Sequence, residues 1–220
     1  MAPTPAAGEA VSVVHGSAGL APAPLDEIAM AALEVLGQRY SVGPKYLTEP
    51  APDLEALRRA ASVALRAPDH RRLRPFRFVV VPGSMRPRLA ELFAQNAADR
   101  GHGAVEVERA RERAWNGPAL ITLVGHVRAN VEDVPDSEQW VCIGAGLMNF
   151  LNALHLMGFG AKVLSGASVR DEGIRAAFCS AGESVVAWIV AGTPRARSSP
   201  KFEDGMGDAL SVWCDPEVRN

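Results

Sequence analysis

The longest apolar stretch of the chain runs from Glu138 to Met157, and it constrains the fold more than any other segment. Val141, Ala145, Met148, Leu151, Asn152 and His155 recur at helical spacing, so one face of the predicted helix is continuous, and Gly158-Phe159-Gly160 closes it. No uninterrupted apolar run approaches the roughly 18 to 20 residues that a membrane helix needs. So apolar a helix must be covered by protein. With 220 residues, 48% of them hydrophobic and 22% charged, the chain can build one sizeable domain around it. A mean hydropathy of +0.02 leaves some apolar surplus to face a partner chain.

The remaining elements follow in order. Met1 to about Pro24 is built from Ala, Pro, Gly and small polar residues, buries too little to offset the entropy of ordering, and is expected to be a flexible extension. Asp26 can cap a first helix that ends at Gly37, and Gln38 to Pro52 reads as a loop. Pro52-Asp53 opens a second helix, stopped by Pro68. A strand is predicted from Phe76 to Val81, a helix over Arg86 to Arg100, and a basic-acidic helix around Val105 to Ala114. Pro118 opens a buried strand, Ala119 to Val124. After the long helix come a strand at Ala161 to Leu164, a helix over about Val169 to Phe178 and a last strand from Ser184 to Ala191. From about Arg195 little periodicity remains, which suggests an arm. Helices interleaved with three or four strands predict a single α+β domain, a sheet covered by helices, over residues 25–220.

Several function classes fall away. The formal net charge of -2 lacks the cationic excess of a general nucleic-acid coat. Cys142, Cys179 and Cys214, an odd number at wide spacing, give neither a zinc pattern nor a disulfide framework, and the first basic residue is Arg39, so the basic start of a signal peptide is missing. A cytoplasmic location follows as the expectation. No Gly-x-Ser-x-Gly elbow or His-Glu-x-x-His pair is present. Val141-Cys-Ile-Gly144-Ala-Gly146-Leu-Met-Asn149 imitates a dinucleotide loop, but its third glycine is Asn149 and no acid stands near Leu164 to hold a ribose. Gly144 and Gly146 instead suit a close helix crossing or a ligand's approach. His155, within the apolar helix, reads as a core or interface histidine.

The segment from Arg66 to Val79 gathers Arg66, His70, Arg71, Arg72, Arg74 and Arg77 between a helix and a strand. Such a cationic loop either binds an anionic ligand or is simply solvated. Arg39-Tyr40-Ser41, just after the first helix, pairs a planar guanidinium with a short hydroxyl donor and suits a phosphomonoester.

From about Leu25 to Pro194 the chain resembles the FMN-dependent nitroreductase family, in its short branch with an Ala-Pro-Asp-His loop. The carrying residues are Arg39-x-Ser41, Glu49-Pro-Ala-Pro52, Ala67-Pro-Asp-His70, Arg74-Pro-Phe-Arg-Phe78, Pro118-Ala-Leu-Ile, the helix after Glu138-Gln139 with Gly144, Gly158-Phe-Gly160, Ser165-Gly166 and Gly192-Thr-Pro194. The resemblance implies a nitroreductase-like fold with a mainly antiparallel central sheet, and an intertwined homodimer with two FMN sites built from both chains. By position, Arg39 and Ser41, with Tyr40 between them, match the phosphate-binding segment. His70 and Arg74 match flavin contacts, with Arg74 near the pyrimidine edge, where a cation stabilises the charge that reduction places near N1 and O2. Val163, Leu164, Ser165 and Gly166 match the segment whose turn faces N5.

The implied reaction is a ping-pong hydride transfer from NADH or NADPH through FMN to a nitroaromatic, quinone or similar flat small-molecule acceptor, with no catalytic side chain, no metal, no nucleic acid and no membrane involved. This chain departs from the branch at Tyr40, where Arg is common, at Phe76, where Trp is commoner, and at Lys162-Val163-Leu164, where relatives often carry Trp-Arg before Ser165. Lys162, Arg195 and Arg197 are the candidates to replace that charge. Two other readings stand beside it: different reductive or fragmentation chemistry on the same fold and flavin, or a non-catalytic protein that binds flavin or another anion.

Overall fold

The computed structural model describes residues 26–195 together with 209, 211 and 213. The expected extension before residue 25, nearly all of the C-terminal arm, Arg197 and Cys214 lie outside the described residues. The elements, in chain order, are α1 (Glu27–Gly37), β1 (Leu47–Thr48), α2 (Leu54–Ala64), β2 (Phe76–Val80), α3 (Arg86–Asp99), α4 (Ala104–Glu112), β3 (Ala119–Gly125), α5 (Asp136–Leu156), β4 (Gly160–Leu164), α6 (Glu172–Phe178) and β5 (Ser184–Pro194). Aspartates punctuate the helices. Asp26, Asp53 and Asp171 accept from Ala29 N, Ala56 N and Ile174 N at 2.7, 2.8 and 2.8 Å, each satisfying an otherwise orphaned first-turn donor.

Three elements differ from the expectation. The helix predicted over 169–178 is broken: residues Ala167–Arg170 form a 3₁₀ turn, and Asp171 adopts an extended conformation to cap α6. The helix predicted to Ala114 ends at Glu112 and tightens into a 3₁₀ turn, Arg113–Trp115. The loop predicted over 38–52 contains β1, a two-residue strand that pairs with Thr193 and Pro194 and buries Leu47. That pairing carries β5 three residues past the predicted stop. Gly192 permits it, because a Cβ there would lie 2.8 Å from the Pro118 ring and 3.0 Å from Thr48 O.

The sheet is antiparallel throughout, with β2, β3, β5 and β4 in that order and β1 joined to the end of β5. Every residue of β3 is buried, as its apolar run predicts. Helices cover both faces, so the architecture is the α+β sheet expected. On one face, Leu57, Ala60 and Ala64 of α2 and Ile143, Phe150 and Leu154 of α5 pack with Ile121, Leu123 and Ile189. On the other, Leu89 and Phe93 of α3, Ala110 of α4 and Ile174 of α6 pack with Leu120, Trp188 and Val190.

Gly144-Ala-Gly146 lies wholly within α5, which rules out the strand-to-loop geometry of a dinucleotide fingerprint. Gly146 allows the helix to approach β2 closely, since a Cβ there would overlap the Phe76 ring, whereas Gly144 faces open space. Phe78 stacks on Phe150 beside this contact, with centroids 4.1 Å apart. No helix among the described residues is long and apolar enough to cross a membrane.

An ion pair ties the start of β5 to β2. Arg77 donates to both oxygens of Glu183 at 2.7 and 2.6 Å and to Phe178 O at 2.7 Å, and Glu183 also accepts from Ser180 N. The guanidinium bonds pull the Glu183 carboxyl down to about 2. A carboxyl depressed on folding adds stability above its ordinary pKa of 4.5, and that stability is lost as the pH falls toward 2. Glu183→Gln is therefore expected to lower the melting temperature at pH 7, and the gap to the parent should close between pH 4.5 and 2 in thermal melts. A gap that does not change with pH would contradict this role.

Candidate functional site

Two groups of the predicted site residues take their positions from different edges of the sheet. The first is organised by β4. After α1 ends, Arg39 N donates to Leu36 O, and Ser41 then forms a parallel bridge with Ala161 while Val42 N donates to Ala161 O at 3.0 Å. Arg39-Tyr40-Ser41 is thereby held beside the start of β4. Four residues after Ala161, about 13 Å along at 3.3 Å per residue, the strand ends in Ser165 and Gly166. Gly166 has φ +133° and ψ −158°, a conformation that disfavours any side chain, yet the space in front of it is open. Ser41, Ser165 and Gly166 are exposed, Arg39 is half-buried, and the Arg39 guanidinium makes no ion pair or hydrogen bond among the described residues. Tyr40 packs against the α3 face.

Val163 and Leu164 leave β4 in opposite directions. Val163 packs against the α5 side and Leu164 joins the core cluster of Trp188 on the α3 side. Leu164 therefore serves as a packing residue at this edge. Lys162 shares its face by strand alternation, is partly buried, and forms no ion pair among the described residues. Arg195 is held through its backbone, its N–H donating to Tyr46 O at 2.9 Å.

The second group is the loop before β2. Arg71, Arg72 and Arg74 all have left-handed backbones, with φ of 60, 53 and 49°. Each costs on the order of 1–2 kcal/mol for a residue with a Cβ. Local bonds hold them there. The Asp69 carboxylate accepts from Leu73 N at 2.9 Å and Arg74 N at 2.8 Å, and Arg71 pairs with Asp133 at 3.0 Å. Arg128 donates to Leu73 O at 2.7 Å, and Gln139, buried at the start of α5, exchanges two 2.8 Å bonds with the Arg128 backbone. His70 Nδ1 lies 3.0 Å from Glu138 Oε2. The Arg74 side chain, exposed, has no partner among the described residues.

Asp69, Arg128 and Gln139 were not among the predicted site residues, yet they set the loop's shape. Asp69 lies within the Ala67-Pro-Asp-His70 motif and Gln139 within the Glu138-Gln139 pair, so both carried a signal. Arg128 carried none, because its partner Leu73 is distant in sequence.

The two groups do not meet within one chain. Glu138, which holds His70, and His155, which lies 2.8 Å from Val35 O of α1, mark opposite ends of α5, about 25 Å apart at 1.5 Å per residue. Ser165-Gly166 and the His70–Arg74 loop emerge at the same end of the sheet. They stand at opposite edges, with β5 and β3 between them, about 14 Å apart at 4.8 Å per strand. Among the described residues, no group of three or more His, Cys, Asp or Glu could hold a metal ion.

The sequence profile of the Nitroreductase family matches residues 36–193. The chain is 33% identical over 171 residues, 77% of its own length and 92% of the relative's, to "Putative NAD(P)H nitroreductase YdjA" of Escherichia coli strain K12. Its fold is similar to the crystal structure of a nitroreductase-like family protein from Bacillus cereus, with TM-score 0.67 and 18% identity over 83% of this chain and 95% of that one. It is also similar to that of the FMN and NADPH-dependent nitroreductase NfnB from sphigopyxis sp. strain HMH, with TM-score 0.63 and 16% identity over 84% of this chain and 99% of the other. Profile, relative and fold agree with the order of motifs along the chain, which belongs to the nitroreductase family.

Proposed function

We propose that the protein is an FMN-dependent NAD(P)H oxidoreductase that passes hydride to nitroaromatic, quinone or similar flat acceptors, and that it works in the cytoplasm as a homodimer. The observation that carries this reading is the arrangement along β4: a half-buried guanidinium, unpaired among the described residues, and an exposed hydroxyl at one end, and an exposed Ser165-Gly166 turn about 13 Å away at the other. A phosphate held by Arg39 and Ser41 at the first end leaves a flat ring to lie against the second.

The donor set fits the cofactor. Arg39 offers a charge-assisted, planar fork to phosphate oxygens, and Ser41 adds a hydroxyl. Gly166 removes the side chain that would otherwise stand between the backbone and a ring. When bound, FMN supplies the hydride relay between the nicotinamide and the acceptor. The chain's own contribution is to bind, orient and set charge, which is why no acid–base pair or activated nucleophile is needed. Arg74, fixed by Asp69, presents a cation suited to the pyrimidine edge, and His70, fixed by Glu138, lies in the same loop.

A second copy would complete the site. His70 and Arg74 stand at the opposite edge of the sheet from Ser165-Gly166, with β5 and β3 between, so in the dimer they would serve the partner's flavin. The exposed apolar face supports that assembly. Trp140, Val141 and Met148 of α5 are 48, 66 and 39% exposed, and Ile28 and Leu33 of α1 are 80 and 54% exposed.

Purified protein is expected to be yellow and to bleach under NADH or NADPH without oxygen; a colourless protein that takes up no FMN would refute the proposal. Arg39→Ala should weaken FMN affinity by more than about tenfold through loss of a charge-assisted phosphate contact, measured by fluorescence titration of the released flavin. Unchanged retention of FMN would remove Arg39 from the phosphate site.

A further inference from the structure

On the face of the sheet opposite α5, a cleft of ≈ 190 Å³ opens between α3, α4 and the 3₁₀ turn at 167–170. Its floor is apolar, made by Phe93, Ala97 and Ala110. Its rim is cationic. Arg100, Arg109 and Arg113 line it together with His102, and Glu106 is the single carboxylate among the lining residues. None of the three arginines forms an ion pair or side-chain hydrogen bond among the described residues. The contrast lies on the same helix: Arg111 pairs with Glu91 and with Glu108. Carboxylates were thus available to α4, and the arginines facing the cleft are not joined to them. Three guanidiniums around one depression raise a local positive potential that an anion relieves.

The cleft also offers a neutral donor. Ser168 Oγ accepts from Trp188 Nε1 at 3.1 Å, which leaves its own O–H free to donate. The cleft is open to solvent, so a phosphate group can enter it while the rest of a nucleotide lies outside. Ser168 follows Gly166 by two residues, so the cleft begins beside the turn assigned to the flavin ring. The flavin's own phosphate pair, Arg39 and Ser41, stands at the other end of β4, next to Ala161. The two anion sites are therefore separate.

We propose that this cleft is a phosphomonoester site that takes the 2′-phosphate of the nicotinamide reductant and so selects NADPH over NADH. The inference rests on the flavin reading for the reductant's placement, but the cleft itself does not depend on bound flavin. Arg109 and Arg113 supply the forks for the phosphate oxygens, and Arg100 and Ser168 close the ring of donors.

Calorimetric titration of the full chain with adenosine 2′,5′-bisphosphate and with 5′-AMP tests it directly. The bisphosphate is expected to bind more than about tenfold more tightly than 5′-AMP, and the Arg109→Ala/Arg113→Ala variant should lose that preference. Both side chains are exposed, so the variant should melt as the parent does; Arg111→Ala, which lies off the cleft, should bind as the parent. In steady-state assays the double variant should raise KM for NADPH by more than about tenfold and leave KM for NADH within about twofold. Equal affinity of parent and double variant for the bisphosphate, or equal losses with NADPH and NADH, would overturn the proposal. Flavin absorbance of the same samples reads the parent proposal separately. A colourless protein that holds the bisphosphate through these arginines refutes the flavin and keeps the phosphate cleft, whereas a yellow protein indifferent to the 2′-phosphate does the reverse.

Discussion

The close approach of α5 to the sheet governs the rest of the structure. At its middle, Gly146 lets the helix backbone settle against Phe76, where a side chain would hold the two apart. At its start, Gln139 binds the Arg128 backbone in both directions, and Arg128 in turn grips Leu73 O. At its end, His155 meets Val35 O of α1. One helix thus fixes the distance between the loop that precedes β2 and the turn that follows α1. These are the segments that carry the two halves of the candidate site. The helix is about 30 Å long and sets the two halves of the candidate site at its opposite ends.

The same helix explains why the chain carries apolar surplus. Its inner face completes a core with α2, while Trp140, Val141 and Met148 remain outside that core. In an isolated chain such a face is a liability, and in a dimer it becomes the interface, since obligate interfaces resemble a core cut in half. The separation of the site halves and the exposed face are therefore two aspects of one arrangement. The cofactor readings gain weight from this, since a second chain would supply both the cover for α5 and the missing half of the site.

Much of this was legible in the residues. Aspartate caps marked α1 and α2, apolar periodicity marked α5, and the unbroken run from Ala119 marked the buried central strand. The proposed phosphate pair could be named from the residues because Arg39 and Ser41 are two residues apart. What escaped were features made only by distant partners. β1 exists through its pairing with the last two residues of β5, so no local propensity announces it. Asp171 broke a helix that periodicity would have continued, because its side chain gains more by capping than by extending. Leu164, conspicuous in sequence as a missing Arg, turns out to fill the core beside Trp188. The cationic cleft was invisible, as Arg100 and Arg109 become neighbours only when α3 and α4 pack together.

The central claim is that each flavin site takes Arg39 from one chain and Arg74 from its partner. Subunit mixing tests it most directly. Arg39→Ala and Arg74→Ala chains, each defective in FMN binding as homodimers, are co-expressed with different tags and the mixed dimer is isolated. In a shared-site dimer both lesions fall in one site and the other is intact, so the mixed dimer should bind one FMN with the parent's affinity. If the mixed dimer has no site of parental affinity, the lesions are distributed one to each site, and the two arginines belong to the same chain's site after all.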